Sequence, residues 1–200
     1  MPDPAPAKFE DVVVALDSSI SMRAKDFEPS RFEAARAALK RFLEVRLTTC
    51  PMDRVGLVVF YAFALPVFEP STNLRSSISS VGQLRVLGEA TNLGDAILKA
   101  AGMHGSSSPN IESLSRKILV ITDGTFNEGP DPWTASIYAR SKNIRIDFLT
   151  IGKLDESDRS AIGKVTGLTG GEESVAENSE ELFSKIVDAA DRRATQLARP

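Results

Sequence analysis

Short apolar runs of strand length alternate along this chain with longer segments of helical periodicity, and this alternation limits the fold more than any other feature. It is typical of βαβ units, in which mostly parallel strands form a central sheet covered by helices on both faces. We therefore predict an α/β, doubly wound sheet of six strands. The predicted strands are 11–17, 54–60, 65–68, 117–123, 145–151 and 174–176.

The segments between these runs carry helix signals. Ser30-Arg31-Phe32-Glu33 is a capping box, and the apolar residues after it recur at helical spacing, so a first helix is predicted to end near Arg46. Pro132 stands near the first position of another helix. The other predicted helices are 73–81, 92–103, 156–165 and 180–194, the last with Leu182, Phe183, Ile186, Val187 and Ala190 facing inward.

One strand is predicted to run antiparallel at an edge of the sheet. The connection formed by residues 61–64 is too short for a crossover, so the second and third strands must form a hairpin. Pro66, in the third strand, cannot donate a ladder hydrogen bond, which places that strand at an edge. The expected architecture is thus Rossmann-like and mostly parallel, with one antiparallel edge strand.

The length of 200 residues fits one domain. We expect that domain to cover residues 9–198 and to follow a disordered, Pro/Ala-rich lead-in at residues 1–8, which lacks the apolar core of a signal peptide. The apolar stretch 55–68 is too short to cross a bilayer and is broken by Pro66. From these features we expect no membrane span and a cytoplasmic location.

Composition excludes several classes of function. The net charge of −3 gives no indication of nucleic-acid binding. Cys50 is the only cysteine and His104 the only histidine, so a Cys/His zinc site is excluded and Ser-His-Asp catalysis is disfavoured. We expect His104, which precedes a polar Gly-Ser-Ser-Ser-Pro loop, to lie on the surface.

Two of the predicted strands end on an aspartate. Asp17 is followed by Ser19 and Ser21 at alternate positions, Asp123 ends the fourth strand, and Thr91 opens a helix between the two. Ligands of doubly wound sheets bind beyond the carboxyl ends of the strands, where the strand order reverses. If the first and fourth strands are neighbours there, three loops face one crevice. Two carboxylates and three hydroxyls are hard oxygen ligands, which favour Mg²⁺ or Mn²⁺ over zinc or copper.

Each motif also has a simpler interpretation by itself. The residues after Asp17 could form a solvated turn, and Asp123-Gly124 could be a turn that only ends a strand. Thr91 or Asn92 could be a helix N-cap, with Asp95 completing the capping pattern. The agreement of three separated motifs with the order of the fold favours the metal site.

Together the motifs resemble the metal-ion-dependent adhesion site of von Willebrand factor type A domains. The matching site residues lie in Asp17-x-Ser19-x-Ser21, at Thr91 and in Thr122-Asp123-Gly124. The chain resembles a prokaryotic-type domain of this family over about residues 9–187. Segments outside the site that are also similar are 30–35, 54–57, 91–96 and 169–171.

This resemblance implies a role for each site residue. Ser19, Ser21 and Thr91 would bind the metal through their hydroxyls, whereas Asp17 and Asp123 would act mainly through bound waters and hydrogen bonds. Neutral direct ligands would leave the ion electrophilic, so that an open coordination position accepts an Asp or Glu carboxylate of a partner protein. The implied function is a non-enzymatic protein–protein interaction module. Such a module would act as an adaptor or scaffold in a multi-subunit assembly, for example with a MoxR-like AAA+ ATPase.

The loop before Thr91 departs from the family pattern. Glu89-Ala90 stands where family members often have a pair of glycines, which predicts a stiffer loop. Glu89 also places a carboxylate that could compete for the metal.

Four aromatic residues are candidates for the rim of a partner-binding surface. Tyr61 and Phe63 belong to the hairpin turn at the same end of the sheet as Asp17, where packing against a neighbouring loop is the alternative. Phe126 and Trp133 follow Asp123, and for Trp133 the alternative is helix packing.

The competing function is a phosphoryl-transfer enzyme or receiver domain that uses Asp17 or Asp123 with Mg²⁺. A phosphatase of the haloacid dehalogenase type needs a second acid two residues after the nucleophile, where this chain has Ser19. A receiver needs a lysine followed by proline after the fifth strand, where this chain has Lys153-Leu154. Both differences favour the interaction module.

Overall fold

The computed structural model describes residues 9–105, 114–124 and 126–197, with side chains described up to residue 191. The predicted lead-in at residues 1–8 and most of the loop before the central strand lie outside the described residues. No described helix is long and apolar enough to cross a membrane.

The described residues form a single mixed sheet of six strands in the order β3-β2-β1-β4-β5-β6. Only β3 runs antiparallel to its neighbour, and it occupies one edge, as the hairpin connection and Pro66 predict. The predicted fold class is confirmed. The strands are β1 (Phe9–Asp17), β2 (Arg54–Phe60), β3 (Ala64–Ser71), β4 (Leu114–Thr122), β5 (Ile144–Ile151) and β6 (Glu173–Ala176).

Helices cover both faces of this sheet. One face packs against α1, α2 and α6, and the other against α3, α4 and α5. Ser30 caps α1 by accepting a hydrogen bond from the backbone N–H of Glu33, as the capping box predicts. The helices are α1 (Arg31–Thr49), α2 (Leu74–Val81), α3 (Leu93–Met103), α4 (Pro132–Ser141), α5 (Glu156–Thr169) and α6 (Ser179–Leu197); a 3₁₀ turn, Ile20–Arg23, follows β1.

Strand β1 lies at the centre of the sheet and is buried on both faces. Val12, Val14 and Leu16 pack into one core, and Val13 and Ala15 pack into the other. The sequence of such a strand is one continuous apolar run, because helices exclude water from both of its faces. Its neighbours are β2 and β4, so strand order reverses between β1 and β4 and the loops after these two strands open into the same crevice.

Two predictions about individual residues are wrong. His104 is only 2% exposed at the end of α3 instead of lying on the surface, and burial lowers its pKa to about 4, so the ring is neutral at neutral pH. Phe183 is 44% exposed, whereas Leu182, Ile186 and Ala190 are buried as predicted. Leu182, Ile186 and Ala190 follow one another at four-residue spacing on the buried face of α6, whereas Phe183 lies about 100° around the helix from Leu182, on the exposed side of that face.

Candidate metal centre

Asp17 ends β1 and is fully buried beneath the crevice. Its Oδ1 accepts a hydrogen bond of 2.8 Å from the backbone N–H of Ser19, and its Oδ2 accepts one of 2.6 Å from the hydroxyl of Thr122. The Thr122 hydroxyl in turn accepts a hydrogen bond from the N–H of Gly124. Asp17 therefore ties the loop after β1 to the loop after β4.

Three side chains above Asp17 form a row of oxygen atoms. The hydroxyls of Ser19 and Ser21 are 2.9 Å apart, and the Ser21 hydroxyl donates to Oδ1 of Asp123 at 3.0 Å. Ser21 and Asp123 are 102 positions apart in the sequence. The fold thus brings together four of the five predicted metal ligands.

The spacing of this row suits a small divalent cation. Magnesium binds six oxygens at about 2.0–2.1 Å in an octahedron, so adjacent ligand oxygens are about 2.9 Å apart. The two observed spacings, 2.9 and 3.0 Å, are close to that edge length. Hydroxyl and carboxylate oxygens are also the ligand types that Mg²⁺ and Mn²⁺ prefer. Within the described part of the chain, no three His, Cys, Asp or Glu residues are grouped so that they could hold a metal ion.

Thr91, the fifth predicted ligand, lies buried in the adjoining loop. Its backbone N–H donates to Oδ1 of Asn127 at 2.9 Å, and its carbonyl accepts from the N–H of Asn127. The helix N-cap is Asn92, which accepts a hydrogen bond from the N–H of Asp95, so capping does not occupy the Thr91 hydroxyl. In the described ranges no hydrogen bond links Thr91 to the other four residues.

The loop before Thr91 is joined to the loop after β1. Gly88 pairs with Ser19 in an isolated parallel bridge, and the N–H of Leu87 donates to the carbonyl of Ser18. Ala90 has a φ of +64°, a left-handed conformation that glycine adopts freely and alanine adopts at a cost. The departure from a glycine pair thus places strain in this loop. Glu89 is exposed to solvent.

Burial governs the ionisation of Asp17. Desolvation raises its pKa to about 6, and the nearby Asp123 adds to the rise, while the hydrogen bonds from Thr122 and Ser19 oppose it. A divalent cation in the crevice would stabilise the ionised form of this carboxyl, because opposite charges attract strongly where water is excluded.

The von Willebrand factor type A domain family model matches residues 12–125. The chain belongs to the von Willebrand factor type A domain family. The matched segment runs from β1 past the end of β4, so all five predicted ligands of this von Willebrand factor type A domain lie inside it.

Curated proteins that are similar in sequence match most of this chain. An uncharacterised UPF0353 protein of Mycolicibacterium gilvum is 28% identical over 193 residues, covering 86% of this chain and 56% of the relative. The chain therefore spans about half the length of the curated relatives it matches.

Among solved structures, the conserved hypothetical protein BatB of Bacteroides thetaiotaomicron is similar, with a TM-score of 0.75 and 24% identity over 92% of this chain and 98% of that one. The pilus adhesin SpaC of Lactobacillus rhamnosus GG is similar, with a TM-score of 0.74 and 14% identity over 94% of this chain and 30% of that one. At these identities the likeness shows the von Willebrand factor type A fold alone.

The predicted rim residues Tyr61 and Phe63 lie beside the Thr91 loop of this von Willebrand factor type A domain. Their rings meet edge to face at 4.9 Å, and the carbonyl of Tyr61 accepts a hydrogen bond from the N–H of Asn92. The Tyr61 ring covers Gly88, where an added Cβ would lie only 2.9 Å from it. Tyr61 thus takes the packing role, while Phe63 remains 54% exposed.

The other two predicted rim residues differ in their surroundings. Phe126 is partly buried against the core on the α3 face of the sheet. Trp133 is 44% exposed and lines a groove between α4 and α5 with Ser160 and Lys164. The hairpin therefore lies beside the candidate metal site, whereas Trp133 lines a separate groove.

Sequence reasoning missed three residues at the crevice. Ile20 and Leu87 are 48% and 47% exposed in the two loops that adjoin Ser19. The apolar Ile20 between two serines was a signal of an exposed contact. Arg31 donates from Nη1 to Oδ2 of Asp123 at 3.0 Å, and no local signal marks it, because it stands in an ordinary capping box.

Proposed function

We propose that this chain is a non-enzymatic interaction module that binds an acidic side chain of a partner protein through Mg²⁺, or Mn²⁺, held in the crevice. The observation that carries the proposal is the pair of hydroxyls of Ser19 and Ser21, which are 2.9 Å apart, like neighbouring ligands of an octahedral ion, and lie beside the carboxylates of Asp17 and Asp123. Domains of this family commonly mediate protein interactions, which agrees with such a site.

The hydrogen bonds favour direct binding through hydroxyls. Both carboxylate oxygens of Asp17 already accept from protein donors, and so do both oxygens of Asp123. The hydroxyls of Ser19, Ser21 and Thr91 would therefore bind the ion, with the two aspartates supplying negative charge around it. The ion, when bound, supplies an electrophilic centre for a partner's Asp or Glu carboxylate.

The surroundings of the crevice indicate the chemistry of the partner residue's neighbours. Ile20, Phe63 and Leu87 are each about half exposed in loops that adjoin the site. Burial of such side chains at the centre of an interface contributes more to affinity than rim charges do. The preferred partner segment would carry one acidic residue flanked by apolar residues.

The module would act as an adaptor or scaffold in a larger cytoplasmic assembly, for example with an AAA+ ATPase of the MoxR-like class. The shared fold with SpaC, which is named as an adhesin, is consistent with a binding role but does not identify a partner.

The same geometry disfavours the phosphoryl-transfer alternative. An aspartate that attacks a phosphoryl group needs an oxygen within reach of the substrate. Asp17 is fully buried and held at both oxygens, and the side chain of Asp123 is 1% exposed and held between Ser21 and Arg31. Exposure to aryl phosphate or acetyl phosphate followed by mass analysis should leave both residues unmodified.

Affinity capture with a matched pair of serine variants tests the proposal. The immobilised wild-type chain should retain a partner from lysate in Mg²⁺ and release it in EDTA, and Ser21→Ala should lose this retention. Ser18→Ala is the control, because the Ser18 hydroxyl donates to the carbonyl of Arg85 and not to the site. Substitution of the partner's contacting Asp or Glu by Asn or Gln should have the effect of EDTA. Retention that survives both EDTA and Ser21→Ala would contradict the metal bridge.

A further inference from the structure

Arg31 holds a fixed position at the edge of the crevice. Its Nε and Nη2 donate to the carboxylate of Asp26 at 2.9 and 2.6 Å, and its Nη1 donates to Asp123 at 3.0 Å. Its backbone N–H donates to the carbonyl of Ala24. A Cβ added at Gly152 would lie 3.3 Å from Nη2, so the guanidinium also packs closely against the end of β5. Because these contacts hold the planar guanidinium on several sides, moving it away from Asp123 when an ion binds would cost free energy.

The contact between Arg31 and Asp123 places a permanent positive charge next to one of the site carboxylates. The side chain of Asp123 is 1% exposed and that of Arg31 is 22% exposed, so water screens the pair only partly. Asp123 is therefore already compensated before any metal ion binds. Its Oδ2 is directed to Arg31, and its Oδ1 accepts from Ser21.

The charge of the site follows from this arrangement. Two aspartates and a divalent ion would sum to zero, and such a site would attract an anion weakly. Arg31 adds one positive charge next to Asp123, and its outer partner Asp26 offsets that charge only in part, because the Asp26 side chain is 47% exposed and screened by water. The loaded site is therefore more positive with Arg31 than without it and favours an anionic ligand. The same positive charge opposes the entry of the metal ion.

We propose that Arg31 is a specificity-determining residue that weakens metal binding by the crevice and strengthens the selection of a carboxylate by the metal-loaded site. This inference rests on the proposed metal-bridged function. It predicts that metal and acidic ligand bind cooperatively, because each supplies the charge that the other needs.

Mn²⁺ serves as the metal probe and acetate as the carboxylate probe. Free Mn²⁺ is measured by electron paramagnetic resonance, and acetate binding is measured from the paramagnetic relaxation of its methyl protons. A neighbouring charge changes the affinity of a carboxylate for a proton by about 10- to 1000-fold. By the same reasoning, Arg31→Gln should bind Mn²⁺ at least about tenfold more tightly and acetate at least about threefold more weakly.

Three further variants distinguish charge from structure. Arg31→Lys keeps the charge but not the planar fork that contacts Asp26 and Asp123 together, so both of its affinities should fall between those of wild type and Arg31→Gln. Asp26→Asn removes the half-exposed outer partner of Arg31, so Mn²⁺ binding should weaken and acetate binding should strengthen. Arg41→Gln is the matched control, because Arg41 lies ten positions further along α1, about 15 Å away along the helix axis, and should change neither affinity.

Each result decides between the proposals. If wild type binds Mn²⁺ and Arg31→Gln behaves like Arg41→Gln, or binds Mn²⁺ more weakly, the role of Arg31 is refuted while the metal site stands. If Arg31→Gln does not fold, a failure of Asp26→Asn to weaken Mn²⁺ binding refutes the role instead. If wild type binds no Mn²⁺, both the metal-bridged function and the role of Arg31 are refuted.

Discussion

Replacement of Asp17 by asparagine should change how the stability of the metal-free protein depends on pH. The substitution keeps the shape of the side chain and an oxygen that can accept from the N–H of Ser19, but it removes the titrating carboxyl. Burial raises the pKa of Asp17 from its usual value of 3.8 to about 6 in the folded protein. In the unfolded chain the carboxyl is solvated and titrates near its usual value.

The sign and size of the effect follow from this difference. Below about pH 4 the carboxyl is protonated in both states, and it contributes its full stabilisation. Between about pH 4 and pH 6 the unfolded chain releases the proton while the folded protein retains it, so the free energy of unfolding falls as pH rises. Each unit of pKa difference corresponds to about 1.4 kcal/mol, so wild type should lose about 3 kcal/mol relative to Asp17→Asn over this interval.

Urea unfolding in EDTA at pH values between 3.5 and about 7.5, followed by circular dichroism, measures this difference for both proteins. Other titrating groups cancel in the comparison, because the two chains differ at one position. A stability difference that is independent of pH, or that moves in favour of wild type as pH rises, would show that Asp17 is not held in a desolvated site. Saturating Mg²⁺ at pH 7.5 should stabilise wild type, by about 2.7 kcal/mol at 100 times the dissociation constant, but not Asp17→Asn.

Three other predictions follow from the same geometry. Ala90→Gly should raise the free energy of unfolding by about 0.5–1 kcal/mol, because relief of the left-handed strain exceeds the entropy cost of glycine. The control Ala161→Gly, within α5, should lower the free energy of unfolding by about 1 kcal/mol. An equal loss of stability in both variants would contradict the strain at Ala90. The affinity for Mn²⁺ should fall about tenfold per pH unit below pH 6 and be constant above pH 6, because a proton on Asp17 competes with the ion. Equal Mn²⁺ affinities at pH 5 and pH 7 would exclude this competition. Phe63→Ala should weaken metal-dependent capture of a partner by about tenfold or more without changing the affinity for Mn²⁺. A loss of Mn²⁺ binding would show instead that Phe63 stabilises the metal site and does not contact the partner.

The parts of the site that could be predicted from the sequence are those tied to strand ends. Asp17 and Asp123 each follow a buried apolar run, and parallel strands place such ends at one edge of the sheet. The neighbouring positions of β1 and β4 then bring the two loops together. Asn92, and not Thr91, is the N-cap, a distinction that the spacing of residues left open.

The parts that sequence reasoning missed depend on contacts between distant segments. Arg31 meets Asp123 across 92 positions and only because the loop after β1 folds back onto the start of α1. His104 precedes a polar segment, yet its ring is enclosed near the charged residues Asp11 and Arg116 at the starts of strands. Local polarity therefore indicated exposure where the fold imposes burial.

A Mn²⁺ titration followed by electron paramagnetic resonance tests the central claim most directly. The double variant Ser19→Ala/Ser21→Ala removes the two hydroxyls that lie 2.9 Å apart, and Ser18→Ala removes a neighbouring hydroxyl that is bonded elsewhere. Wild type and Ser18→Ala should each bind one Mn²⁺ per chain. The double variant should bind it at least about a hundredfold more weakly, since loss of an outer-shell partner alone costs about 10- to 100-fold and these two hydroxyls would contact the ion directly. Equal binding by the double variant and wild type would contradict the claim that these hydroxyls hold the ion.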